Sequence, residues 1–269
     1  MPFFRYAYQR KQQKAMTVVA KPAGYRYGWL PDTPDQRDHA YVPVLETIPQ
    51  VIDLRAELPV PYDQGSLGSC TANAIAAAIQ FDQAKQGLSV TMPSRLFIYY
   101  NERAIEHTVN SDAGAMIRDG IKSVAGIGVC SEALWAYDIE KFAQKPPDSC
   151  YQDGLKHLAL KYKRITQHLS KMQACLAEGY PFVAGITVYQ SFESPHVSQT
   201  GMVPMPAQDE QALGGHAVLA VGYDNGKQMF IFRNSWGTDW GDKGYGYLPY
   251  TYLLDSNLAD DFWTIRTIE

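Results

Sequence analysis

The texture of the chain changes at Pro181. Beyond it, Phe182-Val-Ala-Gly-Ile-Thr-Val188, Ala217-Val-Leu-Ala-Val-Gly-Tyr223, Gln228-Met-Phe-Ile-Phe-Arg233 and Gly244-Tyr-Gly-Tyr-Leu248 are short β-rich runs split by glycine and proline. Asp224-Asn-Gly226 between two of them reads as a hairpin turn, because Asn-Gly tolerates positive φ. Before Pro181 the spacing of apolar residues is helical. Ala74, Ile75, Ala78, Ile79 and Phe81 predict a helix over 70–86 that stops at Gly87. A second helix is predicted after Pro93, a third over 116–125 ending at Gly126, and a fourth over 170–179. A helical half followed by an antiparallel β half predicts an α+β fold in two lobes.

Upstream of this body, residues 22–61 contain seven prolines, Pro22, Pro31, Pro34, Pro43, Pro49, Pro59 and Pro61. Such a stretch cannot stay helical and is expected to run extended over a surface. Residues 1–47 therefore read as a leader outside the main fold and residues 48–269 as the globular body. The leader begins with a basic arm carrying Arg5, Arg10, Lys11, Lys14, Lys21 and Arg26. It lacks the long apolar region of a secretory signal, and no apolar run reaches membrane-spanning length. A net charge of −4 with 19% charged residues gives no sign of a nucleic-acid partner.

Residues 64–70, Gln-Gly-Ser-Leu-Gly-Ser-Cys, form a glycine-rich turn that delivers Cys70 to the start of the first helix. A helix N-terminus supplies positive potential through unpaired N–H groups, which favours a thiolate. Acyl transfer on that thiolate needs a histidine to take and return the proton, a third group to orient the imidazole, and donors for the oxyanion. Cys70, His216 and Asn234 fill the first three roles, and Gln64 with the Cys70 N–H fills the fourth. Of the other cysteines, Cys130 and Cys150 bracket a short loop and are the plausible disulfide, whereas Cys175 reads as a buried small hydrophobe.

Val51-Ile-Asp-Leu-Arg55, Gln64-Gly-Ser-Leu-Gly-Ser-Cys70, Gly214-Gly-His-Ala-Val-Leu-Ala-Val-Gly-Tyr223 and Arg233-Asn-Ser-Trp-Gly together resemble the papain family of cysteine peptidases. The separation of His216 from Cys70 lies within the roughly 130–150 residues of that signature, and Asn234 falls somewhat beyond it. The resemblance covers about residues 48–269 and implies a papain-like fold, with the active-site cleft between a helical lobe and a β lobe. It implies hydrolysis of peptide bonds by Cys70 as nucleophile, His216 as base and acid, Asn234 as its orienter and Gln64 as oxyanion donor. It further implies that Trp236 shields the His–Asn hydrogen bond and that Gly114 pairs with substrate backbone. Met116, Gly185, Gly214 and Gly215 are expected to line the pocket for the residue two before the scissile bond. No acid stands among these positions, so that pocket is expected to be apolar.

No metal or cofactor is called for; a peptide or protein substrate and a monomer are expected. The resemblance also favours an exported protein. A transglutaminase-like or other acyl transferase is the alternative use of the same Cys/His/Asn set. Two positions depart from the family pattern. Leu67 stands where a disulfide cysteine is usual, and Thr71 where an aromatic is, which is expected to open the floor beside Cys70. Both departures, with Tyr25-Arg-Tyr-Gly-Trp-Leu-Pro-Asp upstream, resemble a bacterial branch of the family. The leader is too short for the family's helical inhibitory prodomain. Two readings stand level for it, a cover over the cleft and a brace on the back of a lobe.

Overall fold

The computed structural model describes residues 24–45 and 47–268; the basic arm before Gly24 lies outside the described residues. The order is β1 (Trp29–Leu30), β2 (Val51–Asp53), α1 (Cys70–Lys85), α2 (Arg95–Ile105), β3 (Ala115–Met116), α3 (Ile117–Ile127) and α4 (Asp148–Gly154). Strands then dominate: β4 (Ala159–Arg164), α5 (Leu169–Ala177), β5 (Phe182–Tyr189), α6 (Pro195–Thr200), β6 (Ala212–Asp224) and β7 (Met229–Arg233). β8 (Tyr245–Pro249), α7 (Tyr250–Leu254) and β9 (Ala259–Ile268) close the chain. Among the described residues no helix is long and apolar enough to cross a membrane.

α1 carries small and apolar residues around most of its circumference, and Ala72, Ile75, Ala76, Ala77 and Ile79 are all fully buried. A helix apolar on every side belongs inside a protein. Here it packs against α2 and α3 on one flank and against β6 and β9 on the other. α2 starts where Ser94 caps it, its Oγ accepting from the Phe97 N–H at 3.1 Å. α3 passes through Gly126, where the sequence suggested its end, and stops at Gly128, whose φ of 68° suits only glycine well.

The sheet runs β4-β9-β5-β6-β7-β8, with β2 joining at β6, and each of these pairs is antiparallel. β6 and β7 form the expected hairpin, but Asp224 pairs with Met229, so the loop spans 225–228. The left-handed residue there is Gln228, with φ 57°. β6 begins five residues before the apolar run that signalled it, and this early part holds Gly214, Gly215 and His216.

Phe182 on β5 meets Phe230 and Phe262 edge-on at 6.3 and 6.2 Å between ring centres, and all three are fully buried. Truncation there leaves a cavity that the flanking strands cannot close. Phe182→Ala is expected to destabilise the fold by about 3–5 kcal/mol, measured as a shift of the denaturant midpoint. Cys130 and Cys150 do not form the expected disulfide: both are buried free thiols, and burial together with a hydrogen bond to the Cys150 thiol pushes Cys130 far up.

The leader touches two separate surfaces. Residues 39–44 lie on the outer edge of the sheet, with Tyr41 N–H donating to Arg164 O and Arg164 N–H to His39 O, both at 2.8 Å. Tyr41 is buried, and its hydroxyl donates to Glu178 Oε1 at 2.7 Å. Residues 25–32 lie elsewhere, along the face that carries Cys70 and His216.

Candidate active site

Cys70 is the first residue of α1, and the turn before it is tied down from three sides. Gly65 takes φ 58°, and its N–H donates to Asp63 Oδ1 at 2.8 Å. The Gly68 N–H donates to Asp112 Oδ1 at 3.0 Å. Tyr137 donates its hydroxyl to Gln64 O at 2.9 Å and also meets Ser69 Oγ, while Asn73 Nδ2 donates to Ser69 O at 2.9 Å. Behind them the Arg95 guanidinium lies between the Tyr62 and Tyr137 rings, 4.7 and 4.0 Å from their centres, and donates to Asp63 O. The turn is therefore rigid.

His216 sits in β6 and Asn234 follows β7. The pairing of Leu219 with Arg233 brings the two strand ends side by side. His216 Nε2 lies 2.8 Å from Asn234 Oδ1. That oxygen also accepts the Ser235 N–H at 2.8 Å, which fixes the amide's orientation. An amide oxygen only accepts, so Nε2 carries the proton and Nδ1 is the basic nitrogen. Trp236 is buried and covers the imidazole with ring centres 5.0 Å apart. The amide of Ala217, the next residue after His216, lies close enough to the Cys70 sulfur to pull the thiol's pKa down. Cys70, His216, Asn234 and Trp236 are thus gathered at one place.

Gln64 joins them. Ser235 Oγ donates to Gln64 Oε1 at 2.6 Å, which turns the Nε2 end outward. Nε2 then donates to Leu67 O and to Arg26 O, each at 2.9 Å. The second acceptor belongs to the leader. Tyr25 stacks on Trp236 at 4.6 Å and 6°. Tyr27 lies edge-on to His216 at 6.0 Å, with its hydroxyl donating to Glu193. Gly28 lies beside Cys70, its amide close enough to pull the thiol's pKa down and its O accepting the Ala115 N–H at 2.7 Å. β1 then pairs with β3 in parallel, Trp29 with Ala115 and Leu30 with Met116. An Arg26–Asp112 ion pair at 2.9 Å adds little, because Arg26 is more than half exposed.

The glycines expected to line a pocket pack against this segment. A Cβ on Gly185 would lie 2.1 Å from the Trp29 indole, one on Gly215 2.3 Å from Trp29 O, and one on Gly214 2.8 Å from Tyr27 Cβ. Gly114, at φ 77°, backs onto Gly28 O in the same way. Met116 pairs with Leu30, and its sulfur lies 3.9 Å from Thr33 Oγ1. The surroundings of the Trp29 ring are not wholly apolar, however. Trp29 Nε1 donates to Asp261 Oδ2 at 3.1 Å, and Asp261 is a buried carboxylate from β9 that nothing in the spacing of the sequence marked.

Two expectations about the nucleophile's surroundings change. Thr71 does not open the floor: its hydroxyl donates to Glu102 Oε1 at 2.6 Å, and both residues are fully buried. Nor is the Cys70 thiol acidic here. Burial pushes it up to about 11, against the lowering pull of the Ala217, Gly28 and Thr71 amides, so desolvation under the leader outweighs the helix N-terminus. Leu67 is buried in the core. Ser235, Asp112 and Tyr137 position the site without having been singled out for it; each acts through single side-chain contacts to residues far away in the chain, which leave no pattern in a sequence.

The family model for the papain family cysteine protease matches residues 48–252. An uncharacterized peptidase C1-like protein of Acanthamoeba polyphaga mimivirus is 42% identical over 90% of this chain and 87% of its own. A cathepsin B-like protein of Giardia intestinalis is 32% identical over 78% of this chain and 73% of its own. The crystal structure of xylellain, a cysteine protease from Xylella fastidiosa, superposes with a TM-score of 0.86 at 44% identity, covering 94% of this chain and all of that one. With a cysteine, a histidine and an asparagine converging under a buried indole, the chain belongs to the papain family of cysteine peptidases.

Proposed function

We propose that this peptidase cleaves peptide bonds through a thioester on Cys70, with residues 25–32 holding the site closed until they are displaced. His216 Nδ1 takes the thiol proton, and the sulfur attacks the substrate carbonyl carbon. The charge that develops on the carbonyl oxygen is received by Gln64 Nε2 and the Cys70 N–H. His216 then returns the proton to the leaving amine, and water attacks the thioester with His216 as base. Asn234 keeps Nε2 protonated throughout, so that Nδ1 is always the nitrogen that exchanges the proton.

The observation that carries the closed reading is Arg26 O on Gln64 Nε2. A substrate places its scissile carbonyl there and puts the residue before that one into the glycine-lined pocket. In the leader the pocket residue, Trp29, comes three positions after Arg26. The leader therefore runs opposite to a substrate, and its parallel pairing with β3 agrees. With the Gly28 amide, rather than a carbonyl carbon, beside the sulfur, the segment blocks the site without being cut by it.

A peptidyl epoxide tests the chemistry. Once the leader is displaced, one adduct should form on Cys70, among the four cysteines, with hydrolysis lost in proportion; full hydrolysis after stoichiometric Cys70 modification would refute the assignment.

Docking of the leader is expected to depend on pH. Burial first and the Asp32 charge second push Asp261 up to about 7, with Asp260 adding to the rise and Arg164 opposing it. Burial raises Asp32 as well, against donation from the Arg118 amide and Trp263 and the charges of Arg118 and Arg164. Leader release exposes both carboxyls to water, where such groups titrate near pH 4. The docked form thus holds protons that the released form gives up. Docking is strongest below about pH 4 and weakens as pH rises through about 7. Trp29 fluorescence followed across that range in an inactive variant should report progressive release; tighter docking at high pH would contradict the assignment.

A further inference from the structure

Asp261 is an unusual residue to find at the end of this pocket. It is 1% exposed, and its φ of 58° is one that non-glycine residues seldom take. The cause lies in the sheet. Val183 pairs with Trp263 and Gly185 with Asp260, so two residues of β9, Asp261 and Phe262, oppose one of β5, Ala184, across this stretch. A bulge of this kind re-aims a side chain, and here the carboxylate is turned toward Gly185 and the ring in front of it. Arg164 Nη2 holds Oδ1 at 2.9 Å. Oδ2 accepts Trp29 Nε1 at 3.1 Å and the Asp32 N–H at 2.7 Å, and both donors belong to the leader.

Displacing the leader removes both donors from Oδ2 at once. The oxygen then faces the slot between Gly185 and Gly215, where a substrate side chain must enter. A ring without a donor would cover this acceptor and leave it unpaired, which a site built around a hydrogen bond does not tolerate well. Resting on the reading of the site given above, we infer that Asp261 selects substrates whose residue two before the scissile bond is a flat ring with an N–H at its far edge, tryptophan foremost. Trp29 is then the leader's own copy of the preferred side chain. Arg164 occupies Oδ1 and is shared with Asp260 at 3.2 Å, so the demand left at Oδ2 is for a hydrogen-bond donor, which a ring N–H meets.

The test compares two fluorogenic peptides that differ only at that residue, tryptophan against benzothienylalanine, in which sulfur replaces the ring N–H. The full chain carrying Gly28→Val, whose leader is expected to leave the cleft, should show kcat/KM higher for the tryptophan peptide by roughly tenfold or more. Adding Asp261→Asn should bring the ratio close to one. Arg164 only donates, so it captures the amide oxygen and leaves an NH2 group facing the slot, and asparagine tolerates the left-handed backbone. A ratio near one before the Asp261 change, or an unchanged ratio after it, overturns the inference. Failure to cleave either peptide, with no epoxide adduct on Cys70, overturns instead the underlying reading of the site, and the inference falls with it.

Discussion

The full chain carrying Gly28→Val is expected to hydrolyse peptides faster than the native chain. Gly28 passes so close to the turn before the nucleophile that a Cβ there would lie 1.8 Å from Gly68 O. The obstacle is backbone, and Gly68 is itself held by Asp112, so it cannot retreat cheaply. Gly114 closes the other side: its own Cβ would lie 2.2 Å from Gly28 O. Valine adds two further methyl groups to this overlap. Overpacking of this kind costs about 1–3 kcal/mol or more, which corresponds to a weakening of docking by roughly tenfold to a hundredfold. Because the substitution lies in the leader and the residue moves out into water, the body's melting transition should stay nearly where it was. A fall in activity, or no change, would mean that residues 25–32 do not limit access.

The second large effect is the reverse. Cys70→Ala is expected to lower turnover by about four orders of magnitude or more, in the native chain and in the Gly28→Val background alike. Cys70 is a free thiol, so no cross-link is lost. Its side chain is fully buried at the first turn of a helix that packs on both flanks, so alanine leaves only a small void and the fold should persist. Loss of hydrolysis with an unchanged circular dichroism spectrum and thermal midpoint is the expected pair of results. Substantial hydrolysis by the alanine variant would move the chemistry away from Cys70.

Catalytic chemistry was easier to read from this chain than the path of its leader. Cys70, His216 and Asn234 stand in glycine-marked turns and strand ends whose spacing is specific, and the structure gathers them around one hydrogen bond and one indole. The helices were readable because α1 to α3 carry their own start and stop residues. β4 and β9 were less legible: Leu160 and Tyr162 alternate with Lys161 and Lys163 over four residues only, and Asp260 and Asp261 break the pattern at the start of β9. The leader has no periodicity at all. Its placement rests on single side chains meeting glycines far away in sequence, Trp29 against Gly185 and Gly215 and Tyr27 against Gly214. The sequence leaves cover and brace level; in the structure residues 25–32 lie beside Cys70 and His216, while Tyr41 and Val44 are tied to Arg164 and Glu178. A truncation that starts at Pro49 removes both sets of contacts and mixes their effects; a substitution at Gly28 separates them. Asp261 is not legible in the sequence because its orientation depends on a bulge, and a bulge is a property of strand pairing rather than of composition.

The most direct measurement is the rate at which iodoacetamide alkylates Cys70, followed by peptide mass mapping, in the native chain and in the Gly28→Val chain. The native thiol, buried beneath Gly28 and pushed up to about 11, is expected to react slowly. Opening the site should expose the sulfur to the helix N-terminus and His216, and alkylation should accelerate by roughly tenfold or more. Equal rates in the two chains would contradict the closed reading of the leader.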